Sequence, residues 1–301
     1  MTGTRLPANS DGWPFNPIIT TTVICDIGEP GRKSDYFVGF LFNNSRGETF
    51  IITAKHCIPD ENSIFPRFRA VSDPRAVPAK HVPLWDNGDP IWREHPFADI
   101  AAIPLEIQVS SYLDEIVFDD PWPTHYLVDD FPDDSVVREK VYASAFTEDH
   151  IPKGKLTTGE RLPFAGDDVS VICYDKTEDP DSPYRSGDPP SNEPLPKVRH
   201  LTISTPYRFD YDNEPAFLND GRLFQGSSGA PVLYIPPTRM YAEDVKARRM
   251  IDQPALIGVH GKIVERTIDG KALNLYKAIR AEELLPLVDT HIFDWDVTPK
   301  S

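Results

Sequence analysis

Gly226-Ser227-Ser228-Gly229-Ala230-Pro231, running directly into Val232-Leu233-Tyr234-Ile235, decides how this chain is read. A serine set between glycines in a tight turn, ahead of an apolar strand, presents its hydroxyl, and the turn aims backbone N–H groups at whatever that hydroxyl attacks. Two further segments complete the chemistry. Ile51-Ile52-Thr53-Ala54-Lys55-His56-Cys57 ends an apolar strand on a histidine, and Phe97-Ala98-Asp99-Ile100-Ala101-Ala102-Ile103-Pro104-Leu105 opens another on an aspartate. A serine, a histidine and a carboxylate are the three parts of a nucleophilic triad. Taken singly, His56 could end a core strand, Asp99 could cap a turn and Ser228 could sit in a surface loop. Together they are read as one constellation.

In order and local context these segments resemble the trypsin/chymotrypsin-like serine peptidases, of the non-zymogen bacterial type. That family's motifs T-A-A-H-C, D-I-A-L and G-D-S-G-G-P stand here as Thr53 to Cys57, Asp99 to Ala102 and Gly226 to Pro231. His56 and Asp99 lie 43 positions apart, close to the family's interval; Asp99 and Ser228 lie 129 apart, which implies an insertion. The resemblance implies an all-β fold of two six-stranded antiparallel β-barrels with the site in the cleft between them. It also implies a serine endopeptidase that works through an acyl-enzyme without a cofactor. Ser228 is then the nucleophile, His56 the base that takes its proton, and Asp99 the group that orients the imidazole. The backbone N–H groups of Gly226 and Ser228 match the oxyanion hole.

Ser227 departs from the family. Secreted digestive members carry an aspartate there, which pairs with an ammonium freed by zymogen cleavage. Its replacement implies a site formed as synthesised, or ordered by substrate or by a regulatory protein partner. Leu256 to Gly261 resembles the strand that lines the primary specificity pocket. His260 matches the histidine that glutamyl endopeptidases and glutamine-cutting viral proteases place there, Gly261 follows it, and Arg222 falls where the family puts the pocket base. The resemblance therefore implies a preference for Glu or Gln before the cleaved bond. The other reading is a satisfied core histidine and a surface arginine.

Composition narrows the partners. The chain has 301 residues, enough to bury a sizeable core, and a net charge of −16 that argues against a nucleic-acid partner. No segment is long and apolar enough to span a bilayer. No secretory signal is visible before Ile18, and Cys25, Cys57 and Cys173 cannot all pair within one chain. Cys57 reads as a buried apolar thiol and the compartment as reducing, hence cytoplasmic. His81, His95 and His150 lack metal-ligand spacing, so no metal site is expected; His95 reads as part of a polar turn beside Pro96.

Strand-like runs separated by Gly, Pro, Asn and Asp clusters fill most of the chain, including Ile18 to Cys25, Tyr36 to Phe42, Val169 to Tyr174 and Val198 to Ser204. A hairpin is expected around Asp269-Gly270 and a helix over Arg280 to Val288. The expected organisation is a tail over 1–17, a first barrel over 18–112, an acidic connection over 113–145, a second barrel over 146–290 and a tail over 291–301. Within the second barrel, 175–196 carries six prolines and six carboxylates and reads as a surface insertion. Two readings compete with the peptidase: a silent, protease-like binding module acting through its acidic loops, and a serine esterase on the same fold. The extended groove expected between two barrels favours a protein or peptide substrate.

Overall fold

The computed structural model describes residues 21–27, 36–70, 81–105, 114–117, 140–143, 145–152, 162–174, 196–223, 226–234, 254–264, 267–268, 271–272 and 274–289. The expected tails, residues 175–195 of the expected insertion and most of the 113–145 connection lie outside them. Of that connection, Asp114–Val117 pairs antiparallel with Lys140–Ala143, which also pairs with Arg69–Ala70.

Seven strands build the first half: β1 (Thr22–Ile27), β2 (Tyr36–Asn43), β3 (Thr49–Thr53), β4 (Ser63–Arg67), β5 (Val82–Pro83), β6 (Arg93–Glu94) and β7 (Ala101–Leu105). They form one curled sheet in the order β5-β4-β1-β2-β3-β7-β6, to which Phe146–Thr147 adds an eighth strand, parallel to β2. The expected first barrel therefore does not close among the described residues. The physical reason lies in the segment between its two ends. β5 pairs with β4 and β6 pairs with β7, but Trp85–Asp86 and Asp89–Pro90 fold into a hairpin of their own in between. A single closing strand is thus split in two, with Pro83 and Pro90 unable to donate to a ladder.

The second half does close. Strands β8 (Asp168–Cys173), β9 (Lys197–Ile203), β10 (Ala216–Gly221), β11 (Pro231–Tyr234), β12 (Ala255–Val264) and β13 (Leu275–Arg280) form a barrel in the order β8-β9-β10-β13-β12-β11, with β11 returning to β8. The expected hairpin forms between Thr267–Ile268 and Lys271–Ala272. The expected C-terminal helix is shorter and mixed: a 3-10 turn over Ala281–Leu284 runs into α1, Leu285–Val288. The residues Leu275 to Arg280 before it belong to the barrel.

Side chains alternate along the first-half strands, yet both faces are buried. Leu41, Ile51 and Ile103 pack inside the curled sheet. Their neighbours Phe40, Phe42, Ile52 and Ala102 pack instead into a cluster shared with Leu233, Val259 and Leu284 of the second half. This explains why the strands read as unbroken apolar runs rather than as a period of two. The two halves are joined by a core, not by a polar seam.

That junction also fixes one glycine. Gly229 has φ 87°, and a Cβ there would overlap the carbonyl oxygen of Val38 on β2 and the hydroxyl of Thr53 at the end of β3. Thr53 Oγ1 already donates to Val38 O at 2.8 Å in a buried site, so neither group has room to retreat. Substituting Gly229→Ala combines backbone strain with overlap and should cost about 2 kcal/mol or more. Urea unfolding followed by far-ultraviolet circular dichroism checks this; a midpoint unchanged from the native chain would contradict the close approach.

Candidate active site

His56 sits on a 3-10 turn, Lys55–Cys57, that leaves the end of β3. The turn is closed by Cys57 N–H donating to Ala54 O at 2.9 Å and by Ile58 N–H donating to Lys55 O at 3.1 Å. Asp99 reaches it from the loop before β7 and grips it twice. Its Oδ1 accepts from the backbone N–H of His56 at 3.1 Å, and its Oδ2 lies 2.7 Å from Nδ1 of the ring. The two residues that sequence reading paired are brought together by both backbone and side chain.

The electrostatics follow from that contact. The Asp99 hydrogen bond is the largest influence on His56, helped by the side chain of Cys57 and opposed by burial, and the imidazole is pushed up to about 10. Burial works to raise Asp99, but the bonds from His56 outweigh it and hold the carboxyl below its ordinary value. At neutral pH the pair is therefore an imidazolium against a carboxylate.

Ser228 lies in the turn between β10 and β11, and two backbone bonds tie that turn to β12. Gly229 N–H donates to His260 O at 2.7 Å, and His260 N–H donates to Ala230 O at 2.8 Å. Just beyond, the register of β12 against β13 slips between His260 and Ile263. A bulge of this kind re-aims the backbone. It turns the carbonyl of Gly261 to the serine: Ser228 Oγ donates to Gly261 O at 2.8 Å. On its other side Gly261 faces the carboxylate, because a Cβ there would stand 3.8 Å from Asp99 Oδ2. Gly261 is thus the point on which Ser228 and the Asp99–His56 pair converge.

A bond from Ser228 to His56 is absent among the described contacts. A protonated ring offers the hydroxyl no lone pair, which agrees with Ser228 donating to Gly261 instead. Gly226 has φ 92°, a left-handed conformation that lets consecutive N–H groups face one side of a turn. Among the described residues the N–H groups of Gly226 and Ser228 have no acceptor, as an anion-binding turn requires.

His260 is fully buried, its ring 5.5 Å from that of Tyr276, and its Nδ1 has no partner among the described residues. Burial, reinforced by the charge of His56, lowers it to about 3, so it stays neutral. Arg222 is exposed, one residue past β10. None of the three cysteines is in a disulfide; Cys57 is only partly buried, because it shares the open turn of His56 rather than a strand.

Sequence reading missed His95. It is not a solvated turn residue: it is 6 % exposed, and its ring organises the loop that carries Asp99. The signal was a polar side chain followed by Pro96 and two free N–H groups, which is the pattern of a cap.

The curled sheet and the closed barrel, with His56, Asp99 and Ser228 brought near one another, give the chain a trypsin/chymotrypsin-like fold. No protein-family model and no curated protein matches the chain in sequence. Among solved structures it is similar to the MamO protease domain of Magnetospirillum magneticum, at 10 % identity and a TM-score of 0.47 over 93 % of this chain and 99 % of that one. It is similar to a human heparin binding protein at 10 % identity and a TM-score of 0.49, over 92 % and 93 %. It is also similar to the HtrA-type protease AlgW in complex with a tripeptide, at 11 % identity and a TM-score of 0.45; 90 % of this chain spans 61 % of that one.

Since Asp99 is the main cause of the raised His56 value, Asp99→Asn should return the imidazole toward 6.5. Titration of its Cε1 proton by NMR checks this, and a midpoint still near 10 would contradict it. The sign for stability is fixed by the same shift. The contribution of the raised His56 is in full below about pH 6.5 and is lost as pH rises toward 10, while the lowered Asp99 sets the acid limit, because protonating the carboxylate removes the pair.

Proposed function

We propose that the chain is a serine endopeptidase whose working groups are Ser228, His56 and Asp99. The observation that carries this reading is the double grip of Asp99 on His56, backbone and ring together, beside a serine turn locked to β12. A silent fold has no need of a carboxylate aimed at a half-exposed imidazole. In the proposed reaction His56 first loses its proton to solvent. Ser228 Oγ then leaves the Gly261 carbonyl, gives its proton to His56 Nε2 and bonds to the substrate carbonyl carbon. The N–H groups of Gly226 and Ser228 face the resulting oxyanion. His56 returns the proton to the departing amine, and a water activated in the same way releases the acid.

A neutral, buried His260 can donate one N–H and carries no charge. That chemistry suits the carbonyl of glutamine better than the carboxylate of glutamate, so of the two residues expected before the cleaved bond we favour Gln. Arg222 is the group that would tip the balance toward Glu. Three cysteines outside any disulfide support a reducing compartment.

A second reading has its own observation. The Ser228 hydroxyl donates to Gly261 and His56 is protonated at neutral pH, which is the arrangement of a silent, protease-like binding module. pH separates the two. A peptidase gains its base as His56 deprotonates, so kcat/KM on a peptide library should climb from pH 7 toward pH 10. Hydrolysis absent at every pH would favour the binding module, and a profile centred near pH 6.5 would contradict the raised imidazole. In the same library, His260→Ala should lower kcat/KM for Gln about 10- to 100-fold while leaving acyl transfer from a small activated ester intact. Unchanged selectivity would remove His260 from the pocket.

A further inference from the structure

The loop that delivers Asp99 is built around one imidazole. His95 Nδ1 accepts from the backbone N–H groups of Phe97 at 3.2 Å and Ala98 at 2.9 Å. The loop is closed beneath by His95 N–H donating to Ile100 O at 3.0 Å and Ile100 N–H donating to Ala98 O at 2.9 Å. Two donors on Nδ1 require a lone pair there, so the ring proton is on Nε2. That nitrogen lies 3.2 Å from Glu283 Oε2, on the 3-10 turn that follows the barrel's last strand. Glu283 thus accepts the proton that the loop excludes from Nδ1, and it fixes both tautomer and ring orientation.

We propose that His95, held by Glu283, is the positioning residue of Asp99. It acts at a distance of one short turn: Ala98, whose N–H it captures, is the residue next to Asp99. The Asp99 carboxylate must meet two donors of His56 at once, 3.1 and 2.7 Å away, which leaves little freedom in where its backbone stands. The anchor on the other side is firm. Ala281 and Leu284, which flank Glu283, are completely buried in the core shared by both halves. The C-terminal segment of the second half thereby sets the geometry of the carboxylate supplied by the first. Its consequence for turnover rests on the peptidase reading; its consequence for the Asp99–His56 bond does not.

The test uses the full chain and two readouts. The first is the downfield proton resonance of His56 Nδ1–H, identified by its disappearance in Asp99→Asn. The second is kcat and KM on the best library peptide. His95→Leu removes the acceptor and should broaden or abolish the resonance and lower kcat about 10- to 100-fold with KM unchanged. His95→Asn, whose Oδ1 can accept the same two N–H groups, should recover the resonance and most of kcat. Glu283→Ala leaves a surface-accessible gap and should weaken both readouts, carrying the test if His95→Leu does not fold. A folded His95→Leu or Glu283→Ala with native resonance and native kcat overturns the proposal, as does a His95→Asn no better than His95→Leu. If the native chain shows the resonance but hydrolyses nothing, the peptidase reading fails, and the resonance in the variants alone decides the role of His95.

Discussion

The close approach at Gly229 is the constraint on which the site depends. A residue without a side chain lets the Ser228 turn press against Val38 and Thr53 of the first sheet while its N–H donates to the carbonyl of His260 in the barrel. One turn therefore touches both halves. Thr53 is three residues before His56, and His260 is one residue before Gly261. The serine, the histidine and the carbonyl that holds the hydroxyl are all placed by what surrounds this one backbone position. The shared apolar core makes the placement stiff, since a packed interior resists small displacements.

Around that scaffold the chemistry is poised rather than assembled. Asp99 stabilises a charged His56, and a charged His56 leaves the hydroxyl to Gly261. In the proposed reaction, the same carboxylate that orients the imidazole thus also delays its use as a base. The balance differs from a site in which serine and histidine are already bonded. It makes proton loss from His56 the first event of the proposed reaction. The pH of the surroundings, or a substrate that expels water from the half-exposed ring, would shift it.

The three motifs were legible because each pairs an apolar strand with a residue that has no packing reason to stand at its end. Strand positions followed from the apolar runs around Ile51 and Val232. Other features were hidden for identifiable reasons. β10 is not announced by the sequence, because it runs into Asn219, Asp220 and Gly221, residue types that favour turns, although Asn219 is completely buried in the barrel. β13 was missed because Lys277 and Arg280 mask a strand; Lys277 is buried and pairs with Glu214 at 2.6 Å. The open first sheet depends on how the segment from Val82 to Glu94 is divided, which no periodicity announces. His95 was lost because a capping role depends on which N–H groups fall within reach of its ring, and only the folded loop reveals that.

The central claim is that Ser228 is a nucleophile activated by His56. Intact-mass analysis after treatment with a fluorophosphonate addresses it most directly, comparing the native chain with Ser228→Ala and His56→Ala at alkaline pH. The account predicts a single adduct on the native chain and none on either variant. A native chain that stays unlabelled, or a Ser228→Ala variant that labels equally, would contradict it.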